Sequence, residues 1–196
     1  MPRQVDHEER RQKIAEALWR IVSTQGLEGV SLRNVATEAG ISMGLVQHYF
    51  SSKDDMLLFA FDMLSTRVET RLRTAQPQGP PIRDIFLQML PLDDERLAEA
   101  HVAVAFMARA AVSPAFAEAT RVQSPEFREY LAGLLRADGL SNADEHVTIL
   151  LAALDGMTVH ILAGQLTPEA AVQALDIHLE QLGHRPSPSR PPQPNK

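Results

Sequence analysis

The stretch SLRNVATEAGISMGLVQHYFSSKDDML, residues 31–57, decides how the rest of the chain is read. Leu32, Val35, Ala36 and Ala39 fall on one face of a short helix, and Ser31 just before them caps its free amides. Gly40 ends that helix, because glycine enters the left-handed conformation of a helix stop without a Cβ penalty. Ser42 caps a second short helix, Met43 to Phe50, and only Gly40 and Ile41 separate the two. Two short helices with so tight a turn form a helix-turn-helix. The following Ser51-Ser52-Lys53-Asp54-Asp55 opens a long helix to about Arg73, since a serine cap and acids in the first turn suit the positive end of a helix dipole.

Working outward, Ile14, Leu18, Ile21 and Val22 mark a helix from Glu8 to Thr24, stopped at Gln25-Gly26. On the other side, the run QPQGPP, residues 76–81, cannot be crossed by a helix. Beyond it the pattern predicts helices over Ile82 to Leu90, Asp94 to Val112, Pro114 to Arg136 with a break at Ser124-Pro125, Asn142 to Ala163, and Pro168 to Leu182. Ser113-Pro114, Ser124-Pro125 and Thr167-Pro168 each place a cap before a proline at the first helical position. The expected fold is all-α. A three-helix helix-turn-helix domain spans residues 1–52, a larger helical domain spans 53–183, and 184–196 form a disordered proline-rich tail.

A chain of 196 residues, 44 % hydrophobic and 22 % charged, buries a core without staples and is neither collagenous nor wholly disordered. The absence of cysteine excludes disulfides, thiol nucleophiles and thiolate zinc sites. No histidine has a second histidine four residues on, and no glutamate has a histidine three residues on, so no metal site and no cofactor are expected. Met1 to Arg11 is charged and lacks a secretory apolar core. Val147 to Val159 is shorter than the roughly 20 residues of a span and carries Asp155, which makes it a buried helix; a cytoplasmic protein with no membrane partner is the expectation. The net charge of −6 taken alone points away from DNA. Residues 1–50, however, contain six basic and six acidic side chains, so the deficit belongs to the rest of the chain.

The second helix of such a unit enters the major groove with its N-terminal residues toward base edges. Ile41, Val46 and Phe50 are expected inward, leaving Met43, Leu45, Gln47, His48 and Tyr49 to meet DNA. Gly44 permits close approach, and Gln47 can bond adenine bidentately. His48, Tyr49 and Lys53 are candidate phosphate contacts, with Arg33, Ser31 and Ser42 at helix starts where side chains and amides position phosphates.

Gly26 together with residues 31–57, about a quarter of the chain, resembles the TetR family of transcriptional regulators. The resemblance implies a homodimer, a small-molecule effector bound by the C-terminal domain, repression of a near-palindromic double-stranded operator relieved by that effector, and an intersubunit four-helix bundle from the last two helices. This chain has Gln47 where the family usually has Tyr, and Met43 where it often has a polar residue. Its GLVQHYF run, residues 44–50, is similar to the choline-responsive branch.

Gly40-Ile41-Ser42-Met43-Gly44 also spells the nucleophile elbow of a serine hydrolase, which needs a strand before the serine. The preceding residues read as helix, so an enzyme is not expected; a helical interaction module without DNA is the other alternative. Phe86, Met89, His101, Phe106, Arg109, Phe127, Tyr130 and Asp155 are candidates to line an effector cavity, apolar walls with a few polar groups that set orientation. The helix over 142–163 is apolar nearly all round and must be covered on every side. Ala152, Gly156 and Val159 from it, with Val172, Leu175 and Leu179 from the last helix, are the expected dimer surface.

Overall fold

A computed structural model of the chain describes residues 2–75, 81–123 and 125–183. Among these the backbone forms helices α1 (Pro2–Gln25), α2 (Leu32–Ala39), α3 (Met43–Tyr49), α4 (Lys53–Thr74), α5 (Pro81–Met89), α6 (Asp94–Ala110), α7 (Pro114–Gln123), α8 (Pro125–Ala137), α9 (Ala143–Leu162) and α10 (Pro168–Gly183), plus a 3-10 turn at Leu27–Gly29 and no strand. The expected tail, 184–196, and most of the QPQGPP run lie outside the described residues.

The serine caps form as their spacing requires. The Ser31, Ser42 and Ser52 hydroxyls accept hydrogen bonds from the Asn34, Leu45 and Asp55 amides at 3.1, 3.2 and 3.1 Å. Gly40 closes α2 in the left-handed region at φ 67°. The helical stretch expected over 114–136 is divided at its expected break, α7 ending at Gln123 and α8 starting at Pro125, because a proline cannot donate to the preceding turn. The first helix begins at Pro2 rather than Glu8, where sequence periodicity carries no signal.

Two apolar cores divide the chain. In the first, Ile14, Leu18 and Trp19 of α1 meet Val35, Val46, Phe50 and the α4 residues Met56, Leu57, Ala60 and Leu64, together with Val102 and Phe106 of α6 and Phe116 of α7. The Phe61 and Phe106 rings stack at 3.8 Å between centroids, and the Trp19 indole donates to the Ala60 carbonyl at 3.3 Å. This core crosses residue 52: α4 and α6 belong mechanically to both halves of the chain. The second core is built from α5, α8, α9 and α10 around Phe86, Leu131, Leu150, Leu154 and Ala171.

Ion pairs pin both ends of the α4–α6 contact. Near the end of α4, Arg71 holds the Glu99 carboxylate with both terminal nitrogens while its Nε donates to the Gln88 carbonyl of α5 at 3.2 Å; Glu99 is 4 % exposed. At the start of α4, Asp54 accepts from Arg109 of α6 at 2.9 Å, a half-exposed pair. Arg83 of α5 holds Asp176 of α10 through two nitrogens, which keeps that carboxyl below the usual range.

Helix α9 is long and apolar enough to cross a membrane by length and composition. It instead buries Val147, Leu150, Leu154 and Ile161 in the second core, and turns Ile149, Ala152 and Val159 outward.

Candidate nucleic-acid interface

Alternation of burial along α3 follows from its short amphipathic repeat. Val46 is fully buried and Phe50, which closes the helix, is 1 % exposed; Ser42, Met43, Gly44, Gln47 and His48 are exposed, and Leu45 and Tyr49 half-buried. A Cβ built on Gly44 meets nothing within 4 Å, so this side of the helix is open for close approach of another backbone. Arg33 is exposed near the start of α2, and Ser31 is half-buried as its cap.

Lys53, expected as a phosphate contact, is turned into the fold. Its Nζ donates to the Leu27 carbonyl at 2.6 Å, satisfying an acceptor of the 3-10 turn and tying the start of α4 to the end of α1. Other cations of the region are also engaged. Arg20 pairs with Glu38 at 2.7 Å, and the Arg11 guanidinium lies over the Phe59 ring at 4.1 Å and over Phe50 at 5.1 Å.

One residue absent from the expected set joins this face. The His7 ring of α1 lies 4.6 Å from the Tyr49 ring and 6.5 Å from that of His48, and His48 lies 5.2 Å from Tyr49. Periodicity along α1 gave no reason to select His7, because the contact is made across forty residues by tertiary packing.

Ser42 is a helix cap that follows the Gly40 stop of α2, with φ −73° and ψ 147°. The GISMG string is therefore a helix-to-helix turn. The strand that a nucleophile elbow requires is replaced by α2, and the hydrolase alternative fails on geometry.

The eight expected cavity residues do not converge. Phe106 is buried in the first core and Arg109 is committed to Asp54, whereas Phe86 is buried in the second core. Met89 and Phe127 pack partly against that second core, Tyr130 is 56 % exposed, and Asp155 lies on the exposed side of α9. His101 is half-buried on α6, where loss of solvent pushes its pKa below the ordinary histidine value. Desolvation raises the Asp155 carboxyl, opposed by the nearby Arg128 charge. Two surface grooves are lined by other residues. One of about 580 Å³ runs along α10 past Val172, Asp176 and Ile177; the other, about 370 Å³, lies between α4, α5 and α6 beside Arg71, Gln88 and Arg96.

The expected dimer residues also part company. On α9, Ala152 and Val159 are exposed and Gly156 is half-buried with open space at its missing Cβ. On α10, Leu175 is 3 % exposed in the chain's own core, and Val172 and Leu179 pack partly against it. The outward face of α10 carries Ala174 and Ile177 instead. One apolar stripe, Val172, Leu175, Leu179 and Leu182, runs along this helix opposite Glu169, Gln173 and Glu180, and periodicity alone does not say whether that stripe meets the chain's own core or a second subunit.

Residues 14–59 match the family of bacterial regulatory proteins of the tetR type, and 81–184 match the C-terminal domain of BetI-type transcriptional repressors. The chain is 36 % identical over 170 residues to the HTH-type transcriptional regulator PksA of Bacillus subtilis, covering 83 % of each. It is 28 % identical over 190 residues to the HTH-type regulator BetI of Burkholderia mallei, covering 93 % of this chain and 97 % of that one. A solved transcriptional regulator from Rhodococcus superposes with a TM-score of 0.82 at 37 % identity, over 88 % of this chain and 95 % of its own. With a capped helix-turn-helix whose second helix stands exposed, and a family match over both halves, the chain belongs to the TetR family of transcriptional regulators.

Proposed function

We propose that the protein is a dimeric repressor, working in the cytoplasm, that inserts α3 of each subunit into successive major grooves of a near-palindromic operator and is released by a small-molecule effector. The observation that carries this reading is the division of α3, with Val46 and Phe50 sealed in the core and Met43, Gly44, Gln47 and His48 presented outward. Gln47 reads a base edge, Tyr49 and Arg33 hold phosphates, and the amides behind Ser31 and Ser42 add positive ends of helices. Two such helices read half-sites about 34–36 Å apart.

Helix α6 is the lever for the effector. It shares the first core with the DNA-binding helices and is pinned to α4 through Asp54 and Glu99, so a ligand that moves α6 moves α4 and the spacing of the recognition helices. A preference for the released state of about 1–3 kcal/mol is enough for regulation. The pairing of subunits is supported by the outward stripe Ile149, Ala152, Gly156 and Val159 on α9, continued by Ala174 and Ile177 on α10. Placing a carboxylate there by Val159→Asp is expected to convert dimer to monomer in sedimentation at micromolar concentration; an unchanged dimer would move the interface elsewhere.

The reading is tested by selecting bound duplexes from a random pool and titrating the winner against salt. Because residues 1–50 are neutral and Lys53, Arg20 and Arg11 are engaged internally, few phosphates are neutralised. Two per subunit give a slope of log K against log salt of about −4 at pH 8, and a slope beyond about −8 would contradict this mode of holding DNA. Recovery of no enriched sequence would overturn the regulator reading for this chain.

A further inference from the structure

We propose that His7, His48 and Tyr49 form a proton-dependent phosphate clamp at the C-terminal end of the recognition helix, so that operator affinity rises as pH falls through the histidine range. The inference rests on the DNA-binding reading above and assigns it a residue from outside the helix-turn-helix, His7, and a regulating signal, the proton.

The geometry brings the three rings together from two elements. Tyr49 is half-buried and packs against the first core, which makes it the fixed member. His7 and His48, both exposed, sit 4.6 and 5.2 Å from its ring. Among the described residues neither imidazole has a hydrogen bond or an ion pair, so their nitrogens are available to an incoming ligand. His48 lies in the last turn of α3. A tyrosine ring beside an imidazolium adds cation–π attraction.

Charge makes the proton matter. Glu9, two residues from His7 on α1, is exposed, and several other charged groups are occupied elsewhere. On α1, Arg11 lies over Phe59, and Arg10 is already engaged. On α4, Lys53 serves the Leu27 carbonyl, Asp54 pairs with Arg109, and Asp55 accepts from the Ser51 amide and hydroxyl. On α2, Glu38 is taken by Arg20, and Arg33 is the exposed cation. In a region of net zero charge, two imidazoles that protonate are a large change in the field that a DNA backbone meets. With ring centroids 6.5 Å apart, two imidazoliums repel in the free protein. A phosphate held between them removes that penalty, so the anion promotes protonation and protonation strengthens the grip.

The sign follows from linkage. A phosphate raises each imidazole pKa in the complex above its free value. The added affinity is therefore complete below the free pKa and is lost as pH rises through the bound one. A tightening of about 2.5-fold for each of the four imidazoles of a dimer amounts to about 40-fold between pH 8 and pH 6.

The test uses the full chain and a duplex selected from a random pool at pH 7.5, with dissociation constants measured by fluorescence anisotropy from pH 8 to pH 6 at constant ionic strength. The parent is expected to gain about 40-fold, and His7→Gln about sixfold because two of the four imidazoles remain. His7→Gln/His48→Gln is expected to be nearly flat over the same range. His7 is exposed, so its replacement leaves folding intact, and the variant's melting curve checks this. A flat profile for the parent, or an undiminished one for His7→Gln, overturns the clamp while leaving the regulator reading standing. Failure of the parent to bind any selected duplex at any pH overturns both.

Discussion

Gln47→Ala/Tyr49→Ala is expected to weaken operator binding on the order of 1,000-fold while the chain stays folded. Gln47 is exposed in the middle of α3, about 100° round the helix from the fully buried Val46, and is open to solvent. A side chain that makes a good contact with a base edge contributes about 1–3 kcal/mol of discrimination. Tyr49 is half-buried, with its ring beside those of His7 and His48, and supplies the second contact. A dimer loses both contacts twice. Even at about 1 kcal/mol each, the four sum to about 4 kcal/mol, which is the thousandfold. Anisotropy at fixed salt and pH 8 measures it, and circular dichroism melting shows that the fold survives. Parent-like affinity in a folded double variant would remove α3 from the interface.

Arg71→Met is expected to lower the melting temperature by about 6–20 °C. Glu99 is 4 % exposed, and its carboxylate is held by both terminal nitrogens of Arg71. Removing one partner of such a pair strands a buried charge, at a cost of about 3–5 kcal/mol. In a chain of this size each kcal/mol moves the midpoint about 2–4 °C. The same substitution frees the Gln88 carbonyl that Arg71 satisfies, so α5 loosens along with α6. Arg71→Met/Glu99→Leu should recover most of the loss, because two apolar groups in place of the pair leave no charge in the interior. A single variant that melts within about 2 °C of the parent would show that the pair is not what pins α6 to α4. The exposed Asp54–Arg109 pair at the other end is a weaker lock, since solvent screens it.

How far the site was legible in the sequence differs from residue to residue for physical reasons. The caps Ser31, Ser42 and Ser52, and the inward positions Val46 and Phe50, rest on contacts within one or two helical turns. Local spacing determines such contacts, and each stands where the pattern predicted. Lys53 looked like a free cation because its acceptor, the Leu27 carbonyl, is 26 residues away. His7 went unselected for the same reason, its partners lying on α3. The scattering of Phe86, Phe106, Arg109 and Tyr130 has another origin. Aromatic residues at helical spacing satisfy a cavity wall and a packed core equally well, and the choice is made by which helices lie opposite.

The sequence by itself therefore determined the all-helical class, the tight turn between α2 and α3, and the exposure of Met43, Gln47 and His48 on α3. Helix propensity, capping and amphipathic period are local properties of the chain. Only the tertiary structure decided that α4 and α6 share a core with the DNA-binding helices, that Leu175 faces inward while Ala174 and Ile177 face out, and that His7 joins His48 and Tyr49. Each of these depends on which of two chemically acceptable faces meets a partner distant in sequence, and that is settled by the packing of all the helices together.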